Sequence, residues 1–205
     1  MIVAVDQDDV LMVPGSMGVL QAELNLREGE KKAIMEVLRD YKRGKATTLD
    51  VHAARYNILK GYPRDEILEA LERMSARIPE ESRKFVKKVK NFADVYIVSN
   101  SDVSIVEEIA KSLDIDSVAE NRFLFELKFV TNRKSEMLIR RGITPDVVIT
   151  DDPLNESDFL DMGKLGIVMA RRDNPVTYSE DIRKKYFFVN SLEEAHDKIV
   201  SSIPI

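Results

Sequence analysis

The stretch from Met1 to Met12, MIVAVDQDDVLM, decides how the rest of the chain is read. Ile2, Val3, Ala4 and Val5 form a continuous apolar run, the mark of a strand buried on both faces. That run ends in Asp6, and Asp8 and Asp9 follow at once. Carboxylates crowded at the end of a buried strand repel one another and are costly to desolvate. A bound cation is the common way to offset that cost.

Outward from this stretch, the periodicity predicts an α/β protein. A loop is expected after residue 5, with Pro14, Gly15 and Gly18 as breakers. The pattern is then helical to about residue 77. Ile34, Val37, Leu38 and Tyr41 share one helical face, as do Ile67, Leu68, Leu71 and Met74. Thr48 is expected to cap a helix that runs to Lys60 and stops at Gly61, and Pro63 suits the first turn of the next helix. Pro79 opens another helix, carrying Phe85, Val86 and Val89.

Strand signals then return. Apolar runs at Val95–Val98, Val147–Ile149, Ile167–Met169 and Phe187–Val189 alternate with helical patterns, and 123–129 is expected to hold a short strand. Lys134–Arg141 reads as a helix stopped by Gly142. Ser191 and Glu194 form the capping box of a last helix. Apolar strands alternating with helices predict a Rossmann-like parallel sheet with helices on both faces, and the long helical stretch predicts an inserted module. The expected division is a core of 1–14 and 79–205 with a helical insertion at 15–78.

In such sheets ligands sit beyond the carboxyl ends of the strands. Three runs end in polar residues: Asp6-x-Asp8, Ser99-Asn100 and Asp151-Asp152. All three are expected at one sheet edge. Asp6, Asp8, Asp151 and Asp152 are hard oxygen ligands that suit Mg²⁺, and carboxylate-bound Mg²⁺ usually handles phosphate. Asp6 could attack phosphorus, Asp8 could act as acid and base, Ser99 could hold a phosphoryl oxygen, and Lys134 could neutralise the accumulated charge. Ser99, Asn100 or Ser101 could also cap the helix that follows.

These motifs resemble those of the haloacid dehalogenase superfamily, in its order and over nearly the whole chain. VDQDDVL (5–11) is similar to its DxDx[T/V] signature and VYIVSN (95–100) to its strand ending in Ser or Thr. NRKSEM (132–137) is similar to its helix-borne Lys, and VVITDDPLNESDF (147–159) to its acidic cluster. The insertion lies where the C1 cap of this family sits. The resemblance implies Asp6 as nucleophile and metal ligand, and Asp8 as acid/base with its carbonyl on the metal. It implies Ser99 and Lys134 as catalytic residues and Asp151 as a metal ligand.

Among family members the spacing most resembles phosphoserine-phosphatase-like proteins, through GKATTLDVHAARYNILKG (44–61) and SVAENRFLF (117–125). That likeness implies Arg55 as the residue that holds a substrate carboxylate. There are departures. Near Gly15 there is no carboxylate to meet a substrate ammonium, Ser-Asn-Ser replaces Ser-Gly-Gly, and Thr150 replaces the Gly of the fourth motif. The second acid of that motif is left open among Asp152, Asn155, Glu156 and Asp158. His52 and His196 are read as surface or partly packed residues, and Met12 and Met17 as packing.

The expected activity is therefore a Mg²⁺-dependent phosphatase acting on a small phosphorylated metabolite. A catalytically silent relative or a receiver-like phosphoacceptor is the alternative. Against the receiver stands the position of Asp6 on the first strand. Against dehalogenase chemistry stands Asp8, which a phosphatase needs to protonate an alkoxide.

Composition narrows the partners. The 205 residues carry a formal net charge of −5, with 44% hydrophobic and 33% charged residues. Four basic pairs (Lys87-Lys88, Arg140-Arg141, Arg171-Arg172, Lys184-Lys185) are scattered rather than aligned, so nucleic acid is not an expected partner. No cysteine is present. That excludes a disulfide framework, a thiolate zinc site and a cysteine nucleophile, and it agrees with a reducing, cytoplasmic setting. No apolar run approaches the roughly 20 residues of a bilayer span, so no membrane is expected. The expected partner is a small phosphate ester, and a homodimer stays open.

Overall fold

The computed structural model describes residues 1–170 and 178–202, and the pair Arg171-Arg172 lies outside them. Strand β1 (Ile2–Asp6) is followed by four helices: α1 (Ser16–Glu23), α2 (Glu28–Lys42), α3 (Thr48–Leu59) and α4 (Arg64–Ala76). Then come α5 (Glu80–Val89), β2 (Asp94–Val98), α6 (Val103–Leu113), β3 (Asp116–Val118) and α7 (Lys134–Arg140). The chain continues with β4 (Val147–Thr150), α8 (Ser157–Leu160), β5 (Leu165–Met169), α9 (Glu180–Lys185), β6 (Phe187–Val189) and α10 (Leu192–Ser202).

The six strands form one sheet in the order β3-β2-β1-β4-β5-β6, and every pairing is parallel. Alternate residues of each strand face opposite sides. Val3, Val5, Ile97, Ile149 and Ile167 join a cluster with α5, α6 and α10. Ala4, Val98, Val148 and Val168 meet Met137 and Leu138 of α7 and Phe159 and Leu160 of α8 on the other side. Strands covered twice have no polar face, which is why their sequences are continuous apolar runs.

The order also locates a crevice. From β1 the chain goes to β2 and β3 on one side, then crosses to β4 on the other. Such a reversal opens a gap beyond the carboxyl ends of the central strands, where ligands bind in open parallel sheets. Asp6 pairs with Val98, and Val5 pairs with Ile149. Ser99 and the Thr150-Asp151 pair thus flank Asp6.

The helices α1–α4 lie between β1 and α5. α1 packs on α4, α2 on α3, and α4 on α6. Leu20, Leu59, Ile67 and Met74 belong to the same apolar cluster as Val3 and Val5, so the insertion is joined to the core by packed side chains.

Several expectations are corrected. Gly18 does not break the chain but lies inside α1 on its exposed side, where the absent side chain would meet nothing. Thr47, not Thr48, caps α3: its hydroxyl accepts from the Asp50 N–H, and the Asp50 carboxylate takes the Thr47 N–H in return. Leu68 and Tyr41 are exposed although their neighbours on the stripes are buried or half-buried, because a stripe wider than the packed surface spills into solvent. No strand forms within 123–129; Arg122 and Lys128 exchange backbone hydrogen bonds at 2.8 Å and close a loop over buried Phe123 and Leu124. Strand β3 and helix α9 have no counterpart among the elements expected from the sequence. Asp-Ser-Val has no apolar run, and β3 exists because Tyr96–Val98 offers it a ladder.

Other features agree with expectation. Gly142 takes the left-handed conformation (φ 66°) that ends α7. Met12 and Met17 are core packing. Ser191 Oγ accepts from the Glu194 N–H, although the Glu194 carboxylate takes the Asn190 N–H rather than completing the reciprocal box. The described basic pairs are exposed. Among the described residues no helix is long and apolar enough to cross a membrane.

Candidate active site

A cleft of about 250 Å³ opens at the crevice. The core contributes Asp6, Asp8, Ser99, Asn100, Lys134, Asp151, Asp152 and Glu156 to its wall, and α3 contributes Thr48, His52 and Arg55. Each residue expected at the site therefore lines one cavity, although the residues come from five separate segments.

The segment after β1 is wound tightly. The Leu11 and Met12 N–H groups both donate to the Gln7 carbonyl, at 3.0 and 2.9 Å, and Asp9 adopts a left-handed φ of 57°. This turn buries Val10, Leu11 and Met12 and leaves Asp6 and Asp8 at the cleft. Asp8 Oδ1 accepts the Ser16 N–H at 2.6 Å, so its carboxylate sits on the first turn of α1. Gln7 donates its side-chain amide to Asp8 at 3.2 Å and to Ser16 Oγ at 2.7 Å, bracing the turn against the helix.

Asp6 is almost fully buried. Lys134 Nζ lies 2.5 Å from Asp6 Oδ1 and 2.5 Å from Glu156 Oε1. Glu156 Oε2 takes the Thr150 hydroxyl at 2.5 Å, and the Gln7 N–H donates to Asp6 Oδ1 at 2.6 Å. Burial pushes the Asp6 carboxyl well above the usual range and Glu156 and Asp151 push the same way, while Lys134 pulls it back. Burial alone would lower Lys134, but its pairing with Asp6 and Glu156 wins and holds it above the ordinary lysine value. Asp151 is pushed up to about 6, by burial first and then by Asp9, Glu156 and Asp152.

Among the four residues left open in the fourth motif, Glu156 is the one that reaches Lys134. Asp152 spends its carboxylate on the turn, accepting the Leu154 and Asn155 N–H groups and the Asn155 amide at 2.6 Å. Asp158 takes the Ser135 hydroxyl. The spacing alone could not separate them, because which of them reaches Lys134 depends on the turn that Asp152 closes.

Ser99 is buried, with its Oγ accepting the Ser101 N–H at 3.1 Å. None of Ser99, Asn100 and Ser101 caps α6. Asp102 does: one oxygen accepts the Ser104 N–H, and the other takes the N–H groups of Phe123 and Leu124. Asn121, fully buried, donates to the carbonyls of Asn100 and Thr131 and accepts the N–H groups of Val130 and Thr131. It ties the loop after β2 to the loop before Lys134. Sequence reasoning passed over Asp102 and Asn121; a short polar residue just ahead of an apolar helical stripe was the available signal for Asp102.

Arg55 faces the cleft. It forms no ion pair among the described residues, and its Nε has no hydrogen-bond partner. Burial lowers its guanidinium from the usual value, and Asp8 opposes that shift. His52 departs from expectation. It is buried, 5% exposed, and stacked on Phe123 with ring centres 4.3 Å apart.

The donor set fits Mg²⁺. Among the described residues no three His, Cys, Asp or Glu side chains form a ready-made cage. Asp6 and Asp151 instead supply two carboxylates, each pushed upward by burial and by neighbouring acids, with one lysine in compensation. Mg²⁺ is usually held by one or two carboxylates, with water and phosphate completing its shell. A divalent cation would supply the missing positive charge.

Neither a protein-family model nor a curated protein sequence matches the chain. Solved structures do. A phosphoserine phosphatase captured as an analogue of its phospho-aspartyl intermediate superposes with a TM-score of 0.67 at 18% identity, over 99% of this chain and 98% of that one. The fold is that of the HAD-family hydrolases. A HAD hydrolase from Bacillus subtilis bound to magnesium superposes with a TM-score of 0.61 at 16% identity, covering 98% of both chains. A dehalogenase does so at 0.55 and 17%, over 96% of this chain and 95% of the other. The HAD fold thus serves more than one reaction among these structures, so the chemistry has to be argued from the cleft.

Proposed function

We propose that this chain is a phosphatase that hydrolyses a small phosphate ester through an aspartyl-phosphate on Asp6. The observation that carries this reading is the contact of buried Asp6 with Lys134 at 2.5 Å, beside Asp8 on the first turn of α1.

In the first half-reaction an Asp6 carboxylate oxygen attacks phosphorus while the ester P–O bond breaks. The leaving alkoxide takes a proton from Asp8. In the second, Asp8 takes a proton from water as that water attacks phosphorus, and the Asp6 carboxylate departs from inorganic phosphate. Lys134 faces the negative charge that collects on Asp6 and the phosphoryl oxygens in both halves, and Glu156 orients it. Ser99 Oγ is a donor for a phosphoryl oxygen, with Asn100 beside it on the cleft wall. Asp6, Asp151 and the Asp8 carbonyl would hold Mg²⁺; Asp152, expected as a fourth ligand, has its carboxylate committed to the turn instead. Bound there, it would supply positive charge to the phosphoryl group.

The insertion 15–78 is a cap on this reading, with α3 as the roof of the cleft. Arg55 then meets an anionic group on the leaving alcohol. A cleft of about 250 Å³ suits a small metabolite.

The test is phosphate release from p-nitrophenyl phosphate, with Mg²⁺ or with EDTA, by wild type and Asp6→Asn. Release by wild type that requires Mg²⁺ and falls to background in Asp6→Asn supports the reading. Release that persists in Asp6→Asn overturns it.

A further inference from the structure

Buried polar atoms almost always have a partner, so those without one mark places that await something. Among the described residues, five buried side-chain atoms on residues that line the cleft have none. Asn100 Oδ1 and Ser101 Oγ lie beside Ser99, at the phosphoryl end. The other three are Arg55 Nε and both ring nitrogens of His52, at the α3 end.

His52 is the most demanding of these. An imidazole with no partner leaves two needs unmet, and each buried unsatisfied group is costly. The site of this cost is the wall of the cleft, and the ring is pinned in place. Phe123 stacks on its face at 4.3 Å with 12° between the planes, and Phe129 tilts against it at 5.8 Å. Burial pushes the ring down to about 4 and Arg55 adds to that, so it stays neutral near pH 7. A neutral imidazole offers one donor and one acceptor. A hydroxyl, which both donates and accepts, can meet either ring nitrogen, one at a time because their bonding directions diverge.

The surroundings decide between hydroxyl and ammonium. Arg55 is seated over the same Phe123 ring, its guanidinium 5.8 Å from the ring centre. A cationic substrate group at His52 would lie beside that guanidinium, which disfavours it; the carboxylates of the cleft all come from core segments, with none on α3.

Building on the phosphatase reading above, we infer that His52 determines specificity: its ring hydrogen-bonds an uncharged hydroxyl of the leaving group while Arg55 holds an anion on the same group. The substrate class is then a phosphorylated hydroxy acid that retains a free hydroxyl besides the esterified one.

The test uses matched pairs of phosphate esters that differ by that hydroxyl. One pair is 3-phosphoglycerate and the phosphate ester of 3-hydroxypropionate; the other is 3-hydroxy-4-phosphobutyrate and the phosphate ester of 4-hydroxybutyrate. Wild type is expected to favour the hydroxylated member of at least one pair by about tenfold or more in kcat/KM, since a site built to bond a hydroxyl rejects the analogue that lacks it. His52→Phe keeps a ring on Phe123 and removes both nitrogens. It is expected to bring that ratio close to one, and His52→Gln, which returns a donor and an acceptor, is expected to restore part of it. A purely structural role would lower both members equally and leave the ratio unmoved. An unmoved ratio in His52→Phe, or no wild-type preference within either pair while p-nitrophenyl phosphate is hydrolysed, overturns the inference and spares the phosphatase reading. Failure of wild type to hydrolyse p-nitrophenyl phosphate with Mg²⁺ overturns both.

Discussion

Lys134 is the residue on which the electrostatics of the cleft turn. It is buried, and it serves two acids at once. Removing one partner of a buried ion pair leaves an uncompensated charge, which costs more than the pair's net worth. Lys134→Met is therefore expected to lower stability by about 3 kcal/mol in urea unfolding and to reduce turnover by about 100-fold or more. His52 makes a separate prediction through its titration. Its folded value is depressed to about 4 from 6.5, so between those pH values the unfolded chain binds a proton that the folded chain does not. The contribution is complete above pH 6.5 and is lost as pH falls toward 4, by up to about 3 kcal/mol. Urea unfolding at several pH values should show a steeper loss of stability toward acid in wild type than in His52→Phe. Equal slopes would contradict the neutral buried ring. The meeting of Asp6, Asp8 and Lys134 at one cleft was legible because those residues stand at strand and helix ends. His52 was not, because nothing in its own segment announces that Phe123, some 70 residues on, will stack on it.

At the level of elements, the site is held by turns and caps more than by regular structure. Asn121 makes four hydrogen bonds that join the loop after β2 to the loop carrying Lys134. Asn121→Leu strands those backbone groups in the interior and is expected to cost about 2–4 kcal/mol. Because Lys134 begins just beyond that loop, turnover is expected to fall as well. Asn121→Asp, which keeps the acceptor and loses the donors, should fall between the two in denaturant midpoint. The helix caps give a sharper contrast. Thr47→Ala should cost about 1 kcal/mol, while Thr48→Ala should leave thermal stability nearly unchanged. The reverse order would contradict the cap assignment. Positions one residue apart look alike to a reader of sequence, since both are threonines ahead of a helical pattern. The hydrogen bond to Asp50 separates them. Strand β3 was illegible for a related reason: three residues without an apolar run become a strand only when a neighbour supplies the ladder.

Across the whole molecule, one sheet with its order reversed at β1 brings distant acids, a lysine and a serine to one crevice, and an insertion brings an arginine and a histidine over it. The first part was legible because continuous apolar runs, each ending in polar residues, admit only a parallel sheet with those ends together. The roof was less so, because which face of α3 meets the cleft depends on how it packs on α2, and no single stripe records that. The account rests on a covalent bond between Asp6 and phosphorus, and one measurement reaches it directly. Wild type is quenched in acid during turnover of p-nitrophenyl phosphate with Mg²⁺, reduced with borohydride, digested and read by mass spectrometry. An acyl phosphate at Asp6 is expected to appear as homoserine at position 6 of the N-terminal peptide, and to be absent from Asp6→Asn. Phosphate release accompanied by reduction at another carboxylate, or by none at position 6, would contradict the account.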